Sequence, residues 1–417
     1  MRSLNLDFVL SVLRFLIVYM LVMKRFACLL FSAFIISAFC FAQKKEIAQA
    51  QSVLKSGKNV EKAEEAMRKL LADSANRQNL KIWQVLTEAV KMQYEQGNEQ
   101  LYLKQKYDTA SLFNIERRMF QAYEGMDSVD MLPDKKGRVE LKFRKRNSEY
   151  LNRFRRNLYN GGTYFISKRN YLSAFNLFDT FLDCVRQPLF SAMKYSYTSS
   201  VELSAAYLAT CCAAKIGVDS LALKYSDYAL MYKPGREKVQ QILAAIYYSH
   251  NDTASYKKVL TVGFDENPKS EFFFTRLIDL LNNENAADSA LAVADRAIAA
   301  DTSNLLFPYA KSNILLNIGR YADCIKVCDS LILRNDSLAE AYYNAGVAYL
   351  NMAFEAEKNG NKKSQIKKYY NSALPYMERY RELAPDQKDK WAAALYNIYL
   401  NLNMGKKFEE ITDLLKK

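Results

Sequence analysis

Few side chains in this sequence have the types and spacing that catalysis requires. The chain of 417 residues contains a single histidine, His250, so the sequence indicates no Ser–His–Asp or Cys–His pair. The acidic pairs Glu64–Glu65 and Glu409–Glu410 are typical of solvated helix faces, although two carboxylates facing each other across a groove could act on glycans. We therefore expect no enzyme, no cofactor and no small-molecule substrate.

The cysteines do not have the spacing of a metal site. No Cys-x-x-Cys motif or Cys/His cluster occurs in the sequence. Cys324 and Cys328 lie four residues apart on the apolar side of an expected helix, which favours packing over a disulfide bridge. Cys184 could still reach Cys211 or Cys212 across a helical pair. We expect no bound metal.

The clearest chemical feature is a basic segment between residues 135 and 156. The chain carries a formal net charge of +14, and much of it lies here, interleaved with Phe143, Tyr150 and Phe154. Such a segment could bind a phosphate-rich lipid surface, an acidic glycan or nucleic acid, although expected export argues against nucleic acid. The alternative is a solvated charged helix. The candidate residues are Lys142, Arg144, Lys145, Arg146, Arg153, Arg155 and Arg156.

A second recurring feature is an Asp–Ser/Thr–apolar triplet. Several copies precede expected helices, where an Asp or Ser side chain can accept hydrogen bonds from free backbone N–H groups. The triplets also resemble the O-glycan acceptor sites of exported proteins in one large group of Gram-negative bacteria, and both interpretations can hold. The candidate acceptors are Ser74, Thr109, Ser128, Ser220, Thr253, Ser289, Ser330 and Ser337.

The elements that must position these residues repeat with a period of 34. Pro234, Pro268, Thr302 and Asp336 are separated by this step, and a second series contains Ala290. Within one period, two amphipathic runs flank a short polar turn, which predicts a helical hairpin. One hairpin cannot bury its own apolar face, so successive hairpins must stack. A generic helical bundle would not require so strict a step.

The repeat resembles the tetratricopeptide repeat family. The residues that carry the resemblance are the small and aromatic positions of the two helices, the turn between them and a late proline: Tyr342, Ala345, Gly346, Tyr349, Gly319, Tyr321, Ala290, Pro234, Pro268 and Pro385. The resemblance implies an all-α, right-handed α-solenoid of about nine stacked pairs. It also implies binding of a protein or peptide on the concave face.

The N-terminus has the features of a secretory signal peptide. Lys24–Arg25 precede the apolar run Phe26–Ala42, and Ala42 is a small residue before the expected cleavage site. Met23 is a natural site for the start of translation. A start there would leave residues 1–22 untranslated. The alternative is an uncleaved inner-membrane anchor. We expect an exported protein, in the periplasm or at the periphery of the outer membrane.

The mature chain divides into three expected parts. Residues 43–130 form the N-terminal helical pairs, residues 131–146 a basic irregular connection, and residues 147–417 the main array. By analogy with the repeat family, we expect a scaffold or adaptor of the bacterial cell envelope that binds an unidentified protein or peptide. The alternatives are binding of an anionic polymer or membrane surface through residues 135–156, or a glycan-binding component of the outer membrane.

Overall fold

The structure, a computed structural model, describes residues 43–416 together with residues 19, 20 and 23. Between residues 43 and 416 all regular structure is helical, and this stretch contains no strand. The helices are α1 (43–56), α2 (Val60–Ala72), α3 (Leu80–Tyr102), α4 (Thr109–Asp130), α5 (Arg144–Asn152), α6 (Arg155–Ser167), α7 (Tyr171–Asp183), α8 (Ser200–Ile216), α9 (Asp219–Leu223), α10 (Ser226–Ala229), α11 (Arg236–Ser249), α12 (Thr253–Glu266), α13 (Glu271–Asn283), α14 (Ala287–Ala300), α15 (Leu306–Asn317), α16 (Tyr321–Arg334), α17 (Ala339–Lys358), α18 (Lys363–Leu383), α19 (Lys388–Leu402) and α20 (Gly405–Lys416).

These helices follow one another as antiparallel pairs, nine of them within residues 43–416. Two of the pairs contain a broken helix: α5 and α6 together form the first helix of the third pair, and α9 and α10 the second helix of the fourth pair. Within each unit successive helices pack on one another, as α3 does on α4, α7 on α8 and α17 on α18. The prediction of an all-α array of stacked hairpins is therefore confirmed.

The turn inside each pair shows the period of 34 directly. Gly217, Asn251, Asn285 and Gly319 have φ angles of +79°, +56°, +55° and +77° and are separated by 34 residues each. The residue after each of them donates its N–H to a carbonyl five residues earlier, as Arg320 does to Leu315 at 2.9 Å. Glycine and asparagine tolerate this left-handed conformation, so the sequence terminates the first helix of these pairs at the same point.

The ends of the pairs repeat as well. Pro268, Thr302, Asp336 and Pro385 each stand two residues after the end of a second helix. A proline at this place lacks the N–H that would continue the helix. Pro234 instead lies in the short 3₁₀ turn Lys233–Gly235, just before α11.

Small residues of the repeat signature let neighbouring helices approach closely. Ala290 and Ala345 are fully buried. Gly346 on α17 faces Met377 of α18, whose side chain lies 2.8 Å from the position that a Cβ atom would occupy. A larger side chain at Gly346 would therefore displace the Met377 side chain from its place between α17 and α18.

The chain forms two compact units, the first ending at Val239 and the second beginning at Gln240. The core of the first unit contains Met67, Phe120 and Phe178, and that of the second contains Phe273 and Tyr370. Residues 131–143 lack helical structure, and α5 begins at Arg144, inside the predicted irregular connection. The three-part division of the mature chain stays a prediction.

The predicted signal peptide, residues 1–42, lies outside the described residues apart from residues 19, 20 and 23. In the part of the chain that the structure describes, no helix combines the length and the apolar character needed to cross a membrane.

Candidate functional site

A groove crosses the first helices of consecutive pairs in the second unit. On α13 its lining residues follow one helical face, from Phe272 through Thr275 and Asp279 to Asn282. The opposite stripe of α13, which includes Phe273 and Leu277, is buried in the core. Burial of that stripe fixes the rotation of α13, and the polar face is thereby turned into the groove.

The groove has two connected parts. The larger part encloses about 940 Å³ between α13 and the end of α11, where Tyr248 is 70% exposed. The smaller part encloses about 200 Å³ between α13 and α15. Both parts share Thr275, Asp279 and Asn282, so the two form one continuous surface.

Side chains of three kinds line the groove. Tyr248 and Phe272 present aromatic rings, and the guanidinium of Arg276 lies 3.8 Å from the centroid of the Phe272 ring. Asp279 supplies a carboxylate, and Asn282 supplies an amide. Rings, charged groups of both signs and amides together can bind the apolar side chains and the polar backbone of a peptide.

A buried asparagine beneath the groove orients a second amide. Asn344 on α17 is 3% exposed, and its Nδ2 donates hydrogen bonds to Ser312 Oγ at 2.9 Å and to Asn313 Oδ1 at 2.7 Å. Because Asn313 accepts through its oxygen, its own NH₂ group is left as the donor towards the groove.

The basic segment in the first unit is partly used for internal contacts. Arg144 forms a two-bond ion pair with Asp127 of α4, at 2.8 and 2.9 Å, and only 3% of the Asp127 side chain is exposed. Arg155 is buried, donates to Glu202 Oε1 at 3.0 Å and lies 3.8 Å from the rings of both Phe181 and Tyr195. Neither guanidinium is free for an external anion.

The other five predicted cations are exposed. Lys142 forms an exposed ion pair with Glu140 at 3.3 Å. Arg153 and Arg156 stack on tyrosine rings of their own segment, at 4.9 Å from Tyr150 and 4.6 Å from Tyr159. The surface that remains for an anionic partner is therefore smaller than the sequence indicates, and consists of Lys142, Lys145, Arg146, Arg153 and Arg156.

Comparison with known proteins adds a similarity of fold. No protein-family model matches the chain, and no curated protein matches it. The C-terminal part of a TPR repeat-containing protein from Cytophaga hutchinsonii has a TM-score of 0.41 at 13% identity, covering 61% of this chain and 92% of that one. A TPR repeats protein from Bacteroides fragilis has a TM-score of 0.30 at 16% identity, covering 62% and 98%.

A third similar structure is YrrB, described as a TPR protein with an unusual peptide-binding site. Its TM-score is 0.34 at 16% identity, covering 46% of this chain and 94% of that one. All three are tetratricopeptide repeat proteins by their own descriptions, as the sequence resemblance predicts.

The tyrosines of the first helices differ in what they contact. Of the tyrosines on first helices, Tyr248 lines the groove, whereas Tyr342, Tyr343 and Tyr349 contact tyrosine rings of α18 at centroid distances of 5.0–6.4 Å. Sequence reasoning missed Asp279, Asn282 and Asn313. The signal that the sequence offered for them is their helical spacing on the side of the helix opposite its buried apolar residues.

The Asp–Ser/Thr triplets lie in several different settings. The side chains of Asp73, Asp108 and Asp252 accept backbone N–H bonds at the first turn of the following helix, which confirms capping there. Asp127 and Asp329 instead lie inside α4 and α16. Seven of the eight candidate hydroxyls are exposed, and Thr109 is half-buried. Glycosylation stays a prediction.

The five cysteines within residues 43–416 carry free thiols. Cys324 Sγ and Cys328 Sγ lie 4.0 Å apart in the core, in agreement with a packing role. Among the residues that the structure describes, no group of three His, Cys, Asp or Glu side chains could hold a metal ion.

Proposed function

We propose that the protein is a non-enzymatic scaffold of the bacterial cell envelope that holds an extended peptide segment of a partner protein in the groove on α11, α13 and α15. The observation that supports this is the continuous groove whose aromatic, amide and charged side chains follow one face of the first helices. Stacked hairpins commonly present such a face to a partner.

The size of the groove suits a short peptide. Packed helices lie about 8–10 Å apart, so three first helices span about 20 Å. An extended chain advances about 3.3 Å per residue, so about six residues would cross the groove. The amide of Asn282 and the oriented NH₂ group of Asn313 match a backbone that alternates donors and acceptors.

The test uses a random heptapeptide library displayed on phage and selected on the purified protein. Selected peptides are synthesised, and their affinity is measured by fluorescence polarisation. The variant Asp279→Ala/Asn282→Ala is expected to weaken binding at least tenfold, since two hydrogen bonds of about 1 kcal/mol each are lost. Asn317→Ala, on α15 but outside the groove lining, is the matched control and should bind as the wild type does.

Two results would refute the proposed function. One is a library that yields no peptide with measurable affinity. The other is a set of peptides whose affinity is the same for the double variant and for Asn317→Ala, since such peptides bind elsewhere on the protein.

Export is part of the same proposal and rests on the sequence of residues 24–42. N-terminal sequencing of the protein from a fractionated native host is expected to begin at Gln43 in the periplasmic or outer-membrane fraction. Retention of Phe26–Ala42 in an inner-membrane fraction would support the uncleaved anchor instead.

A further inference from the structure

A second cavity lies in the first unit, between α3, α4 and the start of α5. It encloses about 340 Å³, at the lower end of the range for small-molecule sites. The lining residues of α5 are Arg146, Asn147 and Tyr150, which share one helical face, and Phe143 lines the cavity from the position just before the helix. This cavity is separate from the groove of the second unit, and the proposed function does not use it.

The wall formed by α5 is anchored at its first turn. Asp130 Oδ2 of α4 accepts a hydrogen bond from the backbone N–H of Phe143 at 3.1 Å. Asp127, one helical turn earlier, holds the guanidinium of Arg144 through two bonds. Two carboxylates of α4 therefore fix the position of α5, and the cavity is formed before any ligand enters.

The cavity combines aromatic walls with charged and amide side chains. The rings of Tyr123 and Tyr150 lie 6.0 Å apart, and the guanidinium of Arg146 lies 5.6 Å from the Phe143 ring. Lys91 is partly neutralised by Glu88, at 3.6 Å. Glu88 and Lys91 offset each other, so the exposed Arg146 gives the cavity lining a net positive charge.

One buried donor in the cavity is poorly satisfied. Asn147 is 3% exposed, and the partner of its Nδ2 is the thioether sulfur of Met126, at 3.9 Å. Sulfur is a weak acceptor, so an oxygen of a ligand would be a better one. Most buried side-chain polar atoms have a hydrogen-bond partner, so an amide held only by sulfur is a candidate donor to a ligand oxygen.

We infer that this cavity binds a small carboxylate with an aromatic ring, whose ring packs against Tyr123, Tyr150 and Phe143 while its carboxylate pairs with Arg146 and accepts from Asn147. The carboxylate and the ring could belong to a free acid or to the last residue of a peptide. The shared chemistry is an aromatic ring about two carbons from a carboxylate.

The test is a fluorine-observed NMR titration with 3-(4-fluorophenyl)propanoate. The expected dissociation constant is on the order of 1 mM, given the small size of the probe. The corresponding amide, which lacks the negative charge, should bind about tenfold more weakly. Comparison with the tripeptide Ala-Ala-(4-fluoro)Phe shows which source is preferred, and tighter binding of either one supports the inference.

The deciding pair of variants lies on one helix. Arg146→Ala is expected to weaken binding of the acid about tenfold or more. Lys145→Ala is the control, because it removes the same charge from the neighbouring exposed position outside the cavity. It should leave binding unchanged. Because both side chains are exposed, both variants should fold. Three results would each overturn the inference. The two variants could weaken binding equally, or the acid and its amide could bind with equal affinity. The third result is that neither probe binds at 10 mM, ~ten times the expected dissociation constant.

Discussion

Glu116 on α4 should make the stability of the first unit depend on pH. Its side chain is 1% exposed, and none of the described groups hydrogen-bonds its Oε1. Burial raises the pKa of this carboxyl from 4.5 to about 9, so the folded protein holds Glu116 neutral at pH 7. The unfolded chain has lost this proton, and folding must take it up again.

The sign and size of the effect follow from this difference in pKa. Between about pH 4.5 and pH 9 the folded state binds one proton more than the unfolded state, so the free energy of unfolding falls as pH rises. Each pH unit costs about 1.4 kcal/mol, which amounts to about 4 kcal/mol between pH 5 and pH 8. Glu116→Gln removes this ionisation and should remove its contribution to the pH dependence, whereas burial also raises the pKa of Glu124, to about 8, and that contribution should remain.

The comparison across pH isolates the ionisation. Any cost of burying the Gln NH₂ group is the same at every pH, so the stability difference between Glu116→Gln and the wild type should grow by about 4 kcal/mol from pH 5 to pH 8. The assay is urea unfolding followed by tryptophan fluorescence. The chain contains two tryptophans, so in a Trp391→Phe background Trp83 reports on the first unit alone.

Glu64 provides a control of opposite sign. Burial would raise the pKa of its carboxyl, but hydrogen bonds from Arg118 and Arg68 outweigh burial and lower it. Its contribution is therefore present above pH 4.5 and is lost as pH falls below that value. Glu64→Gln should lose stability most at neutral pH. If Glu116→Gln shifts stability equally at pH 5 and pH 8, the reasoning about Glu116 fails.

Four further predictions follow from packing, ion pairing and surface chemistry. Gly162→Ala should lower the free energy of unfolding by about 1–3 kcal/mol in a urea titration, because a Cβ atom there would lie 2.5 Å from the Phe178 ring. Gly405→Ala should leave the free energy of unfolding unchanged, because no atom lies near the position of its Cβ atom. Asp127→Ala should cost about 2–3 kcal/mol and speed hydrogen exchange in α5, because Arg144 loses its buried partner. Intact-mass measurement of the exported protein should show added sugar, and replacing the seven exposed triplet hydroxyls by alanine should remove it. Lys145→Ala/Arg153→Ala/Arg156→Ala should elute from heparin at lower salt than the wild type.

The period of 34 made the turns and helix ends predictable, because local conformation decides them. Gly217 and Gly319 adopt positive φ, and Pro268 and Pro385 stand where a helix has ended. These preferences act through the backbone of the residue itself and need no knowledge of its neighbours. The breaks between α5 and α6 and between α9 and α10 have no comparable local signal.

The groove was harder to predict, because polar residues on a helix face look the same whether solvent or a ligand covers them. Asp279 and Asn282 have the spacing of any solvated stripe. Only the packing of α11, α13 and α15 shows that they share one surface. The role of Asn344 likewise depends on Ser312 and Asn313, which lie 32 and 31 positions away.

The basic segment shows why a charge count overstates a binding surface. Arg144 and Arg155 pair with Asp127 and Glu202, partners that lie 17 and 47 residues away in the sequence. A buried carboxylate left without its cation is costly, so these arginines are required for the fold, whatever binds outside. Arg146 lies between them in sequence but faces the cavity. Substituting Arg144, Lys145 and Arg146 together would therefore mix loss of folding with loss of binding, and single substitutions at Lys145 and Arg146 separate the two.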